Sequence, residues 1–141
     1  MSSAKGNAIE ASQKTGGVDF DAIAIGAGFA GLALIHYLRE AGLSIRVFDR
    51  AADIGGTWTW NRYPGAATDS ESYYYCLTFS KELLQEWSWT KRYPGWKETH
   101  HYMHFVADKC DMWPHIQLNT EIVEAQYLDD SGRWRVTTGD G

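Results

Sequence analysis

An α/β fold is predicted by three neighbouring features. A short apolar run, Phe20 to Ile25, stops at a cluster of glycines; a helical pattern opens directly from those glycines; and a second strand-like run, Ser44 to Phe48, ends on Asp49. Short apolar runs bounded by glycine read as strands buried on both faces of a parallel sheet. From Ala30 the apolar residues Ala33, Leu34, Tyr37, Leu38 and Ala41 recur at helical spacing, with Arg39 and Glu40 opposite them and Gly42 placed to end the helix. In the second run Ile45 and Val47 alternate with Arg46 and Phe48. Strand, helix and strand together make a βαβ unit.

The rest of the chain continues the mixture. Arg50 to Thr78 carries Gly55, Gly56, Pro64 and Gly65 among aromatics without a sustained period, which predicts a long structured loop of the functional kind. Helical composition returns over Lys81 to Trp89 and Glu98 to Trp113, on either side of the turn signal Tyr93-Pro94-Gly95. Glu121 to Leu128 and Trp134 to Thr138 flank Asp129-Asp130-Ser131-Gly132, the pattern of a β-hairpin with glycine in the left-handed position. The expected organisation is a disordered tail over residues 1–19 and one domain over 20–141.

Bulk properties narrow the function. At 141 residues and 44% apolar composition the chain can bury one core, and it is too short for two domains. A net charge of −5 leaves no basic stripe for nucleic-acid phosphates or an anionic membrane surface, so neither partner is expected. Cys76 and Cys110 lie far apart and outside any Cys/His ligand pattern, which fits inert thiols in a reducing, cytoplasmic setting. Residues Met1 to Gly17 contain no apolar core of a secretion signal. The longest uncharged run, Ala22 to Ile35, is shorter than the roughly 20 residues of a membrane span. Seven Trp and eight Tyr are many for this length, and such side chains serve either as core or as the walls of pockets for flat ligands.

The glycines spell Gly26-Ala27-Gly28-Phe29-Ala30-Gly31, a G-x-G-x-x-G sequence. Alone it is a weak signal. Its position between a strand and a helix, with Asp49 about 20 residues on at the end of the next strand, makes it the fingerprint of a Rossmann-like, doubly wound dinucleotide site. Gly26 permits the tight turn, Gly28 lets backbone approach a pyrophosphate, and Gly31 lets the helix pack close to the strand. The helix N-terminus offers unpaired N–H groups and positive potential to phosphates. Asp49 would accept hydrogen bonds from adenosine ribose hydroxyls and repel a 2′-phosphate, which favours FAD or NAD over NADP here.

Beyond Asp49 the chain reads Gly55-Gly56-Thr57-Trp58-Thr59-Trp60-Asn61-Arg62-Tyr63-Pro64-Gly65-Ala66-Ala67-Thr68-Asp69. This segment resembles the type I Baeyer–Villiger monooxygenases, whose hallmark is Gly-Gly-x-Trp, four residues, Tyr or Phe, Pro-Gly, three residues and Asp. Gly55, Gly56, Trp58, Tyr63, Pro64, Gly65 and Asp69 meet it. Similarity continues through Phe79, Leu84 to Trp87, Phe105 to Lys109 and Trp134 to Thr138. The resemblance implies that Thr57, Trp58, Thr59, Trp60, Asp69 and Tyr75 fall where the family contacts FAD, and Ala67, Thr68 and Asp69 where it approaches NADPH. It also implies a reaction in which NADPH reduces FAD and oxygen is inserted beside the carbonyl of a small ketone, giving an ester or lactone, in catabolism or secondary-metabolite biosynthesis. Asp69 is the residue nearest that chemistry, as the carboxylate that orients a catalytic arginine; a loop or cap aspartate is the plainer reading of the same residue.

Two departures matter. Family members are several times longer, with a second dinucleotide fold, a Phe-x-Gly-x-x-x-His motif and the arginine, none of which this sequence contains. A C-terminally incomplete domain, inactive alone and completed by a missing portion or a second chain, is therefore expected. The alternative is a non-catalytic remnant that binds a nucleotide or a partner through an unfinished sheet edge. Ala67-Thr68 also stands where Arg-Cys is common. Finally, His100, His101 and His104 can bring two ring nitrogens to one face of a helix, but the sequence offers no third ligand, and a packed histidine cluster without metal is the expectation.

Overall fold

The computed structural model describes residues 19–139, so the expected tail lies, but for Asp19, outside the described residues. Strands β1 (Ala22–Ile25) and β2 (Ile45–Phe48) are joined by helix α1 (Phe29–Glu40) and pair in parallel, Ala22 opposite Ile45 through Ile25 opposite Phe48. A two-residue strand β3 (Ile116–Gln117) adds to the far side of β2, giving the sheet order β1-β2-β3. Between β2 and β3 run the short helices α2 (Thr57–Trp60) and α3 (Lys81–Glu86), the longer α4 (Trp96–Lys109), and a 3-10 turn at Trp113–His115. An antiparallel hairpin of β4 (Ile122–Leu128) and β5 (Arg133–Thr138) forms a separate two-stranded sheet. The α/β class, the βαβ start, the helical middle and the hairpin are all as the sequence predicts.

The helices end for identifiable reasons. Gly42, in the left-handed region with φ of 73°, lets the Leu43 N–H return to the Leu38 carbonyl at 2.8 Å and closes α1. The same device closes α4 with Asp111 (φ 49°) in place of glycine: the Met112 N–H reaches the Ala107 carbonyl at 2.9 Å, and Met112 is fully buried. The strain of a non-glycine residue there is offset by Arg39 of α1, whose guanidinium donates to the carbonyls of Cys110 and Asp111 at 2.8 and 3.2 Å. Helix α4 thus stops at Lys109 and does not reach Trp113. Helix α3 ends at Glu86 because Trp87 turns extended and lays its ring among Trp89, Tyr102 and Phe105.

The core lies between one face of the sheet, α1 and α4: Leu32, Ile35, Val47, Ile54, Met103 and Val106 have no exposed surface. Each such side chain contributes about 1.5–3 kcal/mol relative to exposure. Tyr102 is buried with them, its hydroxyl accepting the Leu77 N–H at 2.8 Å, and burial pushes its pKa up to about 12. Two expectations are corrected. The face that α1 buries carries Gly31, Leu32 and Ile35, whereas Leu34 and Tyr37 are exposed. Strand β1 is covered on one side only: Ala24 is buried while Ile23 and Ile25 are exposed, Ile25 by 66%. The reason is architectural, since no helix among the described residues packs on that outer face. A cleft of about 520 Å³ opens there instead, between Ile23 and Ile25 and the hairpin residues Ala125, Trp134 and Val136.

Candidate functional site

The site is built from two glycine-rich turns that touch. The first leaves β1 at Gly26, whose φ of 107° only glycine adopts without strain. Gly28 then caps α1 in extended conformation, and among the described residues no side-chain cap hydrogen bond serves the first-turn N–H groups of the helix. The second turn is Gly55-Gly56, both at positive φ. A β-carbon on Gly56 would come within 3.0 Å of the Gly28 α-carbon, and one on Gly55 would strike Thr59 Oγ1 at 2.3 Å and His100 Cδ2 at 2.8 Å. Neither can carry a side chain.

Between the turns the Ala27 peptide is held from both sides. Its N–H donates to Asp49 Oδ2 at 2.7 Å, and its carbonyl accepts the Gly55 N–H at 2.9 Å. The other carboxylate oxygen of Asp49 accepts the Ala51 N–H at 2.8 Å, and the residue is only 7% exposed. Asp49 is therefore the post on which the first turn is hung, a role the fingerprint alone does not reveal. Each oxygen retains a further lone pair. Asp49 also lines a cavity of about 360 Å³ together with Gly26, Gly56, Trp60, Thr120 and Ile122. Thr120, whose N–H donates to the Asp49 carbonyl at 2.9 Å, and Arg50, whose guanidinium lies 5.3 Å from the Trp60 ring and 3.7 Å from Glu121, belong to this site too. Sequence reasoning missed both. Only the adjacency of Arg50 to Asp49 could have pointed to it.

The remaining sequence candidates divide into three groups. Trp60 stands 58% exposed at the cavity, and Thr57 is exposed at the start of α2. Trp58, Thr59 and Tyr75 are engaged internally: the Trp58 indole donates to the Tyr75 hydroxyl at 3.1 Å with the rings edge to face, and the Thr59 hydroxyl donates to the Ile54 carbonyl at 2.6 Å. Ala67, Thr68 and Asp69 lie apart, on a segment stitched to the start of α4. Ala67 bridges Gly95, the Thr68 N–H donates to the Pro94 carbonyl at 3.0 Å, and the Trp96 N–H to the Ala66 carbonyl at 2.9 Å. Asp69 is exposed, accepts from the Ser70 hydroxyl at 3.5 Å, and enters no ion pair among the described residues. Burial pushes the Cys76 and Cys110 thiols up, and both are free.

Comparison with known proteins agrees with this fold. Residues 25–87 match the family described as NAD(P)-binding Rossmann-like domain. The chain is 49% identical over 121 residues to the acetone monooxygenase (methyl acetate-forming) of Gordonia sp. (strain TY-5), covering 86% of this chain and 23% of that protein. It is 49% identical over 129 residues to a Baeyer–Villiger monooxygenase of Pseudooceanicola batsensis, covering 91% of this chain and 24% of that one. The structure of an oxidized steroid monooxygenase bound to NADP superposes with a TM-score of 0.84 at 43% identity, over 86% of this chain and 23% of that one. The chain spans about a quarter of the length of these relatives. Identity at this level over nearly all of the described residues, on a shared fold, makes the chain similar to one Rossmann-like portion of the Baeyer–Villiger monooxygenases.

Proposed function

We propose that this chain supplies the FAD-holding turn of an NADPH-dependent flavin monooxygenase of Baeyer–Villiger type, acting on a small ketone to give an ester or lactone. The observation that carries the proposal is the doubly held Ala27 peptide, which fixes Gly28 and the uncapped N-terminus of α1 beside a cavity that Asp49 lines. Flavin, when bound, supplies the redox and oxygen-transfer chemistry.

The chain's own residues bind and orient. First-turn N–H groups of α1 receive the diphosphate, with the helix dipole favouring its charge. The spare lone pairs of Asp49 face the ribose, and Trp60 with Arg50 walls the cavity. Trp58 and Tyr75, locked to each other, fix the course of the Gly55-Gly56 backbone. Asp69, exposed and in no ion pair among the described residues, suits a carboxylate that positions a guanidinium from outside this chain; Ala67 and Thr68 beside it form the approach for NADPH. Conversion of a ketone by this chain alone is not expected, because Asp69 enters no ion pair among the described residues. Two free cysteines favour a reducing, cytoplasmic setting. No helix among the described residues is long and apolar enough to cross a membrane.

The test is to titrate the purified chain with FAD, following flavin absorbance and fluorescence. Binding of one FAD per chain with a perturbed flavin spectrum is expected. A folded chain that leaves FAD free would overturn the reading, whereas FAD binding without NADPH oxidation would fit a purely nucleotide-binding module equally well.

A further inference from the structure

The feature that the dinucleotide site leaves unused is a cluster on its far side. His100 and His104 sit one turn apart on α4, and Asp53, from the loop after β2, reaches between them. Asp53 Oδ2 lies 3.2 Å from His100 Nε2 and Oδ1 lies 2.9 Å from His104 Nε2, and one ligand atom from each of the three residues falls within 4.8 Å of the others. The third ligand absent from the sequence pattern is thus brought in by the fold.

Two ion pairs are a poor account of this arrangement. One carboxylate cannot neutralise two imidazolium rings whose centroids are 4.8 Å apart, and Arg62 adds further positive potential at His100. Nor are these good hydrogen bonds: both Nε2 atoms are buried, and among the described residues neither meets a partner at good hydrogen-bonding geometry, despite the short distances to Asp53 and a weak pull of the Ile54 carbonyl on the His100 ring. A buried polar atom without a partner calls for an explanation. Two buried imidazole nitrogens and a carboxylate around one point have the composition of a three-ligand zinc site, in which metal–ligand bonds of about 2.0–2.2 Å put ligand atoms roughly 3.4 Å apart.

We propose that Asp53, His100 and His104 bind one Zn2+ ion through a carboxylate oxygen and the two Nε2 atoms, with water completing the tetrahedron. The ion ties α4 to the loop that leads into Gly55, where the His100 ring already occupies the space a β-carbon would need. Since the Gly55 N–H holds the Ala27 carbonyl, the metal braces the dinucleotide turn from behind.

The experiment uses the full chain, purified without a histidine tag and treated with chelator, then titrated with Zn2+ alone by calorimetry and with Co2+ alone by visible absorption. One ion per chain, an intense tetrahedral cobalt band displaced by Zn2+, and a raised Tm are expected. His104→Gln should weaken binding beyond the roughly 10- to 100-fold that losing a supporting outer partner costs, while His101→Gln, on the Trp87 side of α4, leaves it unchanged. In the wild-type chain, Zn2+ should protect His100 and His104 but not His101 from diethyl pyrocarbonate, read by mass spectrometry. This needs no variant to fold. Absence of stoichiometric binding, affinity indifferent to His104→Gln, or no protection of the pair would each overturn the proposal.

Discussion

The βαβ end of the molecule and its C-terminal hairpin are built on opposite terms. Gly31 and Gly56 are pressed against neighbouring backbone, Gly55 against the side chains of Thr59 and His100, and Gly26, Gly55 and Gly56 hold positive φ, so both space and backbone conformation fix these residues. The hairpin is held chiefly by its own ladder, with most side chains exposed: Trp134 by 64%, with Val123 and Tyr127 similarly open. The difference teaches where change is tolerated. In the first region a single methyl group at Gly31 or Gly56 has no room; in the second a whole indole can be removed cheaply.

The sharpest test of that contrast lies within the first region itself. A β-carbon on Gly31 would sit 2.3 Å from the Gly26 carbonyl oxygen, a backbone atom that cannot step aside, and 3.4 Å from Val47 Cγ1. Gly31→Ala should therefore cost about 3 kcal/mol or more, seen as a collapse of the denaturation midpoint. On Gly28 the same carbon meets Gly56 Cα at 3.5 Å, ordinary contact, and Gly28 has a φ of −91° that alanine accepts. Gly28→Ala should leave stability within about 0.5 kcal/mol of wild type while weakening FAD binding at least tenfold, because the methyl group stands in the path of the diphosphate. Equal damage from both substitutions would show that Gly28, too, serves packing only.

Next in size is Asp49→Asn. The amide keeps one acceptor but turns an NH2 toward one of the two buried N–H groups, of Ala27 or Ala51, that the carboxylate now satisfies. The expected loss is about 1–3 kcal/mol by urea denaturation. A loss below about 0.5 kcal/mol would mean that the Ala27 peptide is held well enough by Gly55 alone.

How far the sequence could be read follows the same division. The glycine turn was legible because backbone chemistry acts over a few residues: a φ of 107° at Gly26 or a close approach at Gly31 leaves only one residue type. The register of α1 was not, because Leu32 and Ile35 compete with Leu34 and Tyr37 for the inner face, and only the opposing Val47 and Val106 decide between them. The apolar letters of β1 imply two covered faces, yet Ile23 and Ile25 look onto a cleft. β3 is too short to show any period. Asp53 lies 47 residues before His100 in the chain and joins it through folding alone.

On the hairpin side the effects shrink. Trp134 opposes Tyr127 across the ladder, ring centroids 5.3 Å apart, and both are open to solvent. Trp134→Ala should cost about 0.5–1 kcal/mol, the value of a cross-strand aromatic pair, with FAD binding unchanged. A loss as large as that of Asp49→Asn would mean that the cleft between Trp134 and β1 is closed in solution and that the hairpin belongs to the core.

The smallest expected effect concerns the junction between α4 and the sheet. His115, in the 3-10 turn before β3, has its pKa lowered from the ordinary 6.5, chiefly by burial, with the positive charges of Arg39 and Arg46 adding to it against Asp111 and a backbone hydrogen bond at Ile45. The unfolded chain consequently takes up this proton at a higher pH than the folded one. Its contribution is intact above about pH 6.5 and is lost as pH falls through the lowered folded value. His115→Gln removes the ionisation but keeps an amide of similar reach. Between about pH 7 and pH 5 the unfolding midpoint of the variant should fall less steeply than that of the wild-type chain. Parallel slopes would show that the His115 ring is open to water in the folded protein.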